Sequence, residues 1–253
     1  MAFVLADVTL LQAVLVAGTA FGAAVIGGMA GYGTGLLLPL VLVPVIGAEN
    51  VVPVIAVSSM FTNVGRFVAM REAVDWRKVA IMLPLAVPLV MISAYGFTRL
   101  DNRGASLVIG AMLVVLVPLR RKLVRMGFRL QGWQLAPAGG LYGFVTGASS
   151  GAGVILISFL MAAGLTGKAV IATDAAISIV IGVAKAGTFG WNEALPLPLL
   201  LFALLVGLAT LPGAFVARAL LDRLPVQLHT LMLEAVIVIG GLGIIARGLF
   251  GPS

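Results

Sequence analysis

The chain has 253 residues, 61% of them hydrophobic and only 10% charged, with a formal net charge of +7 and a mean hydropathy of +1.18. Average soluble domains are about 25% charged, so a soluble globular protein is excluded, and the positive excess belongs to loops facing the cytoplasm rather than to nucleic-acid binding. The absence of cysteine excludes disulfides, thiol catalysis and thiolate metal sites, and the single histidine, His229, excludes a multi-histidine metal centre within one chain.

Apolar segments run over roughly 8–47, 51–70, 77–97, 104–119, 134–165, 168–190, 196–217 and 227–249. About 20 residues suffice to cross a bilayer. Segments 8–47 and 134–165 are therefore too long for one span, and each is interrupted by glycine. The first interruption reads Gly27-Gly28-Met29-Ala30-Gly31-Tyr32-Gly33-Thr34-Gly35, the second Gly147-Ala148-Ser149-Ser150-Gly151-Ala152-Gly153. The first segment is preceded by Asp7 and no basic run, unlike a typical signal peptide. Pro39, Pro44, Pro53, Pro84, Pro88, Pro118, Pro196, Pro198 and Pro212 lie in or beside apolar segments, where they mark kinks.

The stretch 120–132 holds Arg120, Arg121, Lys122, Arg125 and Arg129 and no acid, which places it in the cytoplasm. It divides one transmembrane domain, 1–253, into a first repeat, 8–119, and a second, 133–250. At an offset of 120 the pairs Val25/Val145, Gly27/Gly147, Gly31/Gly151, Gly33/Gly153, Leu36/Leu156, Leu40/Leu160, Gly47/Gly167, Ala56/Ala176 and Ser58/Ser178 are identical, which indicates internal duplication. Arg66 and Lys185 nearly correspond, at an offset of 119.

Loop charge bears on how the halves face. If each glycine segment is a kinked span, the repeats are parallel, and Lys168, Arg218 and Arg223 join Arg99 and Arg103 outside. If each is a hairpin returning to its starting side, the repeats are inverted, and only Arg99, Arg103 and Arg247 of the loop cations lie outside. The positive-inside rule favours the second arrangement. The expected fold is an all-α polytopic membrane protein of two homologous halves, as inverted repeats. Each half would have a glycine-broken helical hairpin followed by three transmembrane helices.

Interrupted helices in inverted-repeat transporters meet near the midplane and form the substrate site. Their half-helix N-termini carry free N–H groups and a partial positive charge, which suits an anion. The expected contacts are backbone at Gly31, Gly33, Gly35, Gly151 and Gly153, with Thr34, Ser149 and Ser150 as hydroxyl donors. Helix packing is the competing use of these glycines, through small-xxx-small patterns such as Gly147-xxx-Gly151. Two dense clusters at matching repeat positions favour the site. Intramembrane charge is costly and usually faces a cavity or a partner. Asp174, Ser178 and Lys185 share one helical face, and Ser58, Ser59, Thr62, Asn63 and Arg66 lie largely on another. Asn63, Arg66 and Lys185 are candidate anion contacts, with snorkelling as the alternative for the two cations. Asp174 is the candidate carrier of a coupling proton. His229 reads as interfacial, and Glu234 serves a local hydrogen bond as readily as transport.

The first glycine run, followed by Pro39, resembles the N-terminal signature of the TauE/SafE sulfite exporter family. The second, extended back to Gly143-Phe144-Val145-Thr146 and followed by Gly164, Ala172 and Thr173, is similar to that family's second-half signature. The resemblance spans nearly the whole chain. It implies an inner-membrane bacterial carrier, commonly an exporter, for sulfite, sulfoacetate, other sulfonates or related carboxylates. In the second run Ser149-Ser150 and Val154-Ile155 stand where relatives often carry more glycine and proline.

Three rivals follow from the same residues. Gly147-Ala148-Ser149-Ser150-Gly151 matches the G-x-S-x-G of serine hydrolases, with His229 as a base, but that motif belongs to a strand–turn–helix context. A channel or carrier for inorganic ions or small carboxylates would use the same architecture, although few intramembrane acids are present for divalent ions. A membrane scaffold has no use for duplicated helix breaks. No enzyme activity, cofactor or metal is expected. The expected partners are a small anion and the lipid bilayer, with homodimer formation open and no nucleic acid.

Overall fold

A computed structural model describes residues 10–30, 34–220 and 226–250. Among them the chain is helical, without strands. Its helices are α1 (Leu10–Ala30), α2 (Thr34–Ile46), α3 (Ala48–Met70), α4 (Trp76–Phe97), α5 (Asn102–Met126), α6 (Leu135–Gly147), α7 (Gly153–Ala162), α8 (Lys168–Trp191), α9 (Leu197–Leu220) and α10 (Val226–Phe250). Ala48–Ala73, Trp76–Phe97, Asn102–Leu123 and Lys168–Trp191 are long and apolar enough to cross a membrane, and shorter apolar helices accompany them.

Each over-long apolar segment is two helices, α1 with α2 and α6 with α7, and the breaks fall at the glycine runs. The second pair folds back on itself. The Leu130 N–H, ahead of α6, donates to the carbonyl of Ala162 at the end of α7 (2.9 Å), and Phe128 meets Phe159 edge-on at 6.3 Å. A continuous pair would hold these ends about 40 Å apart at 1.5 Å per residue. One boundary differs from the sequence reading. α5 runs on to Met126, so the basic stretch between the repeats is mostly the last turns of that helix. Arg and Lys are good helix formers, and Gly127 ends the helix in the left-handed conformation (φ 56°).

The helix order repeats from α1–α5 to α6–α10, and so do the contacts. α4 packs on α6 as α1 packs on α9. α3 packs on α9 as α8 packs on α4. α5 meets α7 as α10 meets α2. Gly47 and Gly167, paired by the 120-residue offset, precede α3 and α8 with φ of 76° and 55°, a region where only glycine is unstrained. Equivalent helices cross antiparallel. On α3 and α8, Arg66 meets Asp174, while Met60 and Ala56 meet Gly182. On α5 and α10, Gly110 meets Gly241 and Ser106 meets Gly248.

α4 packs closely against α6. A Cβ added to Gly139 would stand 2.5 Å from the Met82 carbonyl oxygen, and one added to Gly147 2.6 Å from that of Val90. Gly139, Gly143 and Gly147 recur every four residues, so one glycine face brings the two backbones together. The packing use of glycine therefore accounts for Gly147.

Candidate functional site at the helix breaks

A broken helix leaves its last carbonyls and the next helix's first N–H groups without intrahelical partners. At the second break the carbonyls are taken by a lysine. Lys185 Nζ donates to the Thr146 carbonyl (2.6 Å) and the Ser149 carbonyl (2.7 Å). Lys185 is 4% exposed, so it does not snorkel to a membrane surface. It reaches inward from α8 to the C-terminal end of α6, where the helix dipole is negative and favours a cation. Among the described residues no carboxylate pairs with it. The α7 end of the break is different. A Cβ on Gly153, the first residue of α7, would meet nothing within 4 Å.

The two breaks touch. A Cβ on Gly35, in the first turn of α2, would overlap the carbonyl oxygen of Ser150, and one on Gly151 would overlap the Leu36 side chain. Both positions need glycine for this approach. Ser149 is buried, and its hydroxyl has no hydrogen-bond partner. Ser150 contributes its carbonyl to the contact. Gly31, Gly33 and the Thr34 side chain lie outside the described residues, as do the side chains of His229 and Glu234.

The expected polar stripe on α8 exists but serves two places. Asp174 and Lys185 are separated by eleven residues of helix, about 16 Å. Asp174 Oδ2 pairs with Arg66 Nη1 of α3 at 3.2 Å, and Arg66 also donates to Asn63 Oδ1. Arg66 and Asn63 are thus drawn toward a carboxylate, about three turns away from the breaks. Asp174 Oδ1 is buried without a hydrogen-bond partner.

Sequence reasoning missed several members. Thr146 supplies a carbonyl to Lys185, and a backbone acceptor carries no residue-type signal. The Tyr142 hydroxyl lies 3.3 Å from Ser178 Oγ, joining α6 to α8. Thr173 Oγ1 accepts from the Asp75 N–H at 3.0 Å, fixing the α3–α4 corner against α8. Ser58, the repeat partner of Ser178, is buried with a free hydroxyl.

The G-x-S-x-G run sits in a helix–turn–helix rather than the strand–turn–helix its hydrolase meaning requires. Among the described residues no group of three or more His, Asp and Glu side chains is placed to hold a metal.

Paired broken helices, meeting at glycine inside a bundle of apolar helices, define a multi-pass membrane protein of the transporter class. Residues 16–244 match the family Sulfite exporter TauE/SafE, and the chain belongs to that family. Its membrane character, its transport role and the resemblance read from the two glycine runs agree with this membership. No curated protein and no solved structure gives a significant match.

Proposed function

We propose that the protein is a secondary transporter that exports a small anion, such as sulfite, sulfoacetate or another organosulfonate, across the bacterial inner membrane. The observation that carries this reading is the Lys185 ammonium, buried at the second break beside the contact between the two glycine segments. The carbonyls that end α6 are met from within by this lysine, and room is left beside Gly153 at the start of α7. The resulting field favours an anion and disfavours the cation-channel alternative. The anion would sit against the first N–H groups of α7 and α2, with the Ser149 hydroxyl and Thr34 as further donors. Gly31, Gly33, Gly35, Gly151 and Gly153 would give it access to backbone.

The antiparallel crossings of α3 with α8 and of α5 with α10, and the return of α7 to the start of α6, support inverted repeats. Rocking of 8–119 against 133–250 would have to part the glycine seam of α4 and α6. The units that alternate access are better drawn to keep α6 with α4 and α1 with α9. Arg66–Asp174 would then open and close during the cycle, with Asp174 as the group that takes a coupling proton.

Purified protein should be stabilised against heat by sulfite or an organosulfonate, because a ligand bound only by the folded state raises its apparent stability. Sulfate, taurine, small carboxylates, sodium and nickel form the comparison set. Stabilisation by a cation and by no anion overturns the reading. Orientation is tested in this cysteine-free chain with Lys168→Cys, which should label from the same side as a cysteine in 127–132.

A further inference from the structure

α5 is longer than the bilayer it crosses. Its 25 residues span about 37 Å at 1.5 Å per residue, against a hydrocarbon core of about 30 Å. The apolar part ends at Leu119, and Arg120, Arg121, Lys122 and Arg125 follow without an acid. These last turns therefore stand at headgroup depth. Pro118, Arg121, Lys122 and Arg125 follow helical spacing and share one face. With Met126 they line a shallow groove open to solvent, and all five are exposed.

The helix dipole favours cations at a C-terminus, and loop topology favours them on the cytoplasmic side. Neither requires three on one face around a concavity. Like charges at i and i+4, as in Arg121 and Arg125, destabilise a helix. Lys122 and Arg125 form no salt bridge with a described carboxylate. Lys122 and Arg125 are thus open to an anion from outside the chain, beside Arg121.

The geometry points to a binding site for the phosphodiester headgroup of an anionic phospholipid at the C-terminal end of α5. Guanidinium forks of Arg121 and Arg125 match two phosphate oxygens, and Lys122 adds a point charge. Pro118 and Met126 supply apolar surface for the glycerol and the first acyl methylenes. A soluble anion uses the cations but leaves that apolar surface wet, whereas a lipid uses both. Clustered Lys and Arg beside a membrane span gain affinity for anionic lipid with each cation.

The test is thermal unfolding of the purified protein in neutral detergent, with phosphatidylglycerol, phosphatidylcholine or inorganic phosphate added and no sulfite present. Phosphatidylglycerol should raise the midpoint, and the other two should not. Arg121→Gln with Arg125→Gln should weaken the response, by about fivefold in apparent affinity per cation removed. Arg121→Lys with Arg125→Lys keeps both charges but loses the forks, so it should retain an intermediate response, above that of the glutamine pair, which separates lost binding from lost folding. If the glutamine pair does not purify, the single Lys122→Gln carries the measurement. An equal shift from phosphatidylcholine overturns the proposal, as does an equal shift from inorganic phosphate. So does an undiminished phosphatidylglycerol response in the glutamine variants.

Discussion

The two ends of α8 hold the molecule together in different ways. Near its start, Thr173 and Asp174 reach into the first half, to the Asp75 N–H and to Arg66. Three turns later, Lys185 reaches back within its own half, to the carbonyls that end α6. Arg66 and Lys185 occupy nearly matching places in the two repeats, yet one is paired with a carboxylate and the other with backbone. The two positions thus differ in what they do with a cation. A guanidinium facing a carboxylate is a neutral tie between helices. An ammonium facing carbonyls and the Phe189 ring has no carboxylate to cancel its charge. The comparison predicts that the Lys185 end governs binding and the Asp174 end governs the balance between conformations.

Lys185→Met is the substitution of largest effect on anion binding. It removes the charge and strands two carbonyls at the break. Anion affinity should fall on the order of 10–100-fold, equivalent to a charge-assisted hydrogen bond of about 1.5–3 kcal/mol, and sulfite flux in proteoliposomes should fall with it. Wild-type stabilisation by the anion in this variant would remove Lys185 from the site. Asp174→Ala should act otherwise. Taking one partner from a buried pair costs about 3–5 kcal/mol, and the partial exposure of Arg66 (side chain 23%) lowers the expectation to about 2–4 kcal/mol. Adding Arg66→Met should recover much of that loss. A double variant as unstable as the sum of the singles would mean that the two side chains are not coupled. Asp174→Asn tests proton coupling separately, since unchanged pH dependence of transport in that variant rules it out.

The helices and their order were legible from apolar length, because a membrane helix announces itself by composition. The breaks were legible for the same reason, since 8–47 and 134–165 exceed one span. The family was legible from the glycine runs at Gly27–Gly35 and Gly143–Gly153. What stayed hidden depended on backbone and on distance between segments. Thr146 and Ser149 act through carbonyls, which every residue has. Asp174 and Lys185 share a face in sequence, but what each one meets is set by α3 and α6, and a one-dimensional pattern does not contain that. α5 was read short because hydropathy falls where Arg and Lys begin, although helix propensity does not.

The glycines sharpen the comparison at smaller cost. Gly35→Ala places a methyl group on the Ser150 carbonyl, and overpacking of this kind costs about 1–3 kcal/mol. Gly153→Ala enters open space and should be neutral or slightly stabilising, since alanine is the better helix former. If Gly153→Ala nevertheless abolishes the anion response, the space at α7 is the solute's. If Gly35→Ala costs nothing, the breaks do not meet as described.

The smallest effect concerns the corner that Thr173 grips. Asp75 caps α4 by accepting from the Lys78 N–H (3.1 Å) and also from Lys78 Nζ. The side-chain bond from Lys78 holds its carboxyl below the usual carboxylate range, against a smaller upward push from burial. A carboxylate lowered in the folded state adds stability above its unfolded value, near 3.8, and that stability is lost as pH falls through the folded value. Asp75→Ala should therefore cost about 1 kcal/mol at neutral pH, the usual worth of an N-cap, and progressively less as pH falls through the folded value. Because the Asp75 N–H to Thr173 bond uses backbone, it survives the substitution. Thr173→Val should add its own loss, about 0.5–1.5 kcal/mol for one hydrogen bond. If the two losses simply add, the cap and the inter-half bond are independent, and only Thr173 belongs with Asp174 in tying α8 to the first half. If the double variant loses less than the sum, the α4 cap is part of that tie, and acid should loosen the Asp174 end of α8 before it disturbs Lys185.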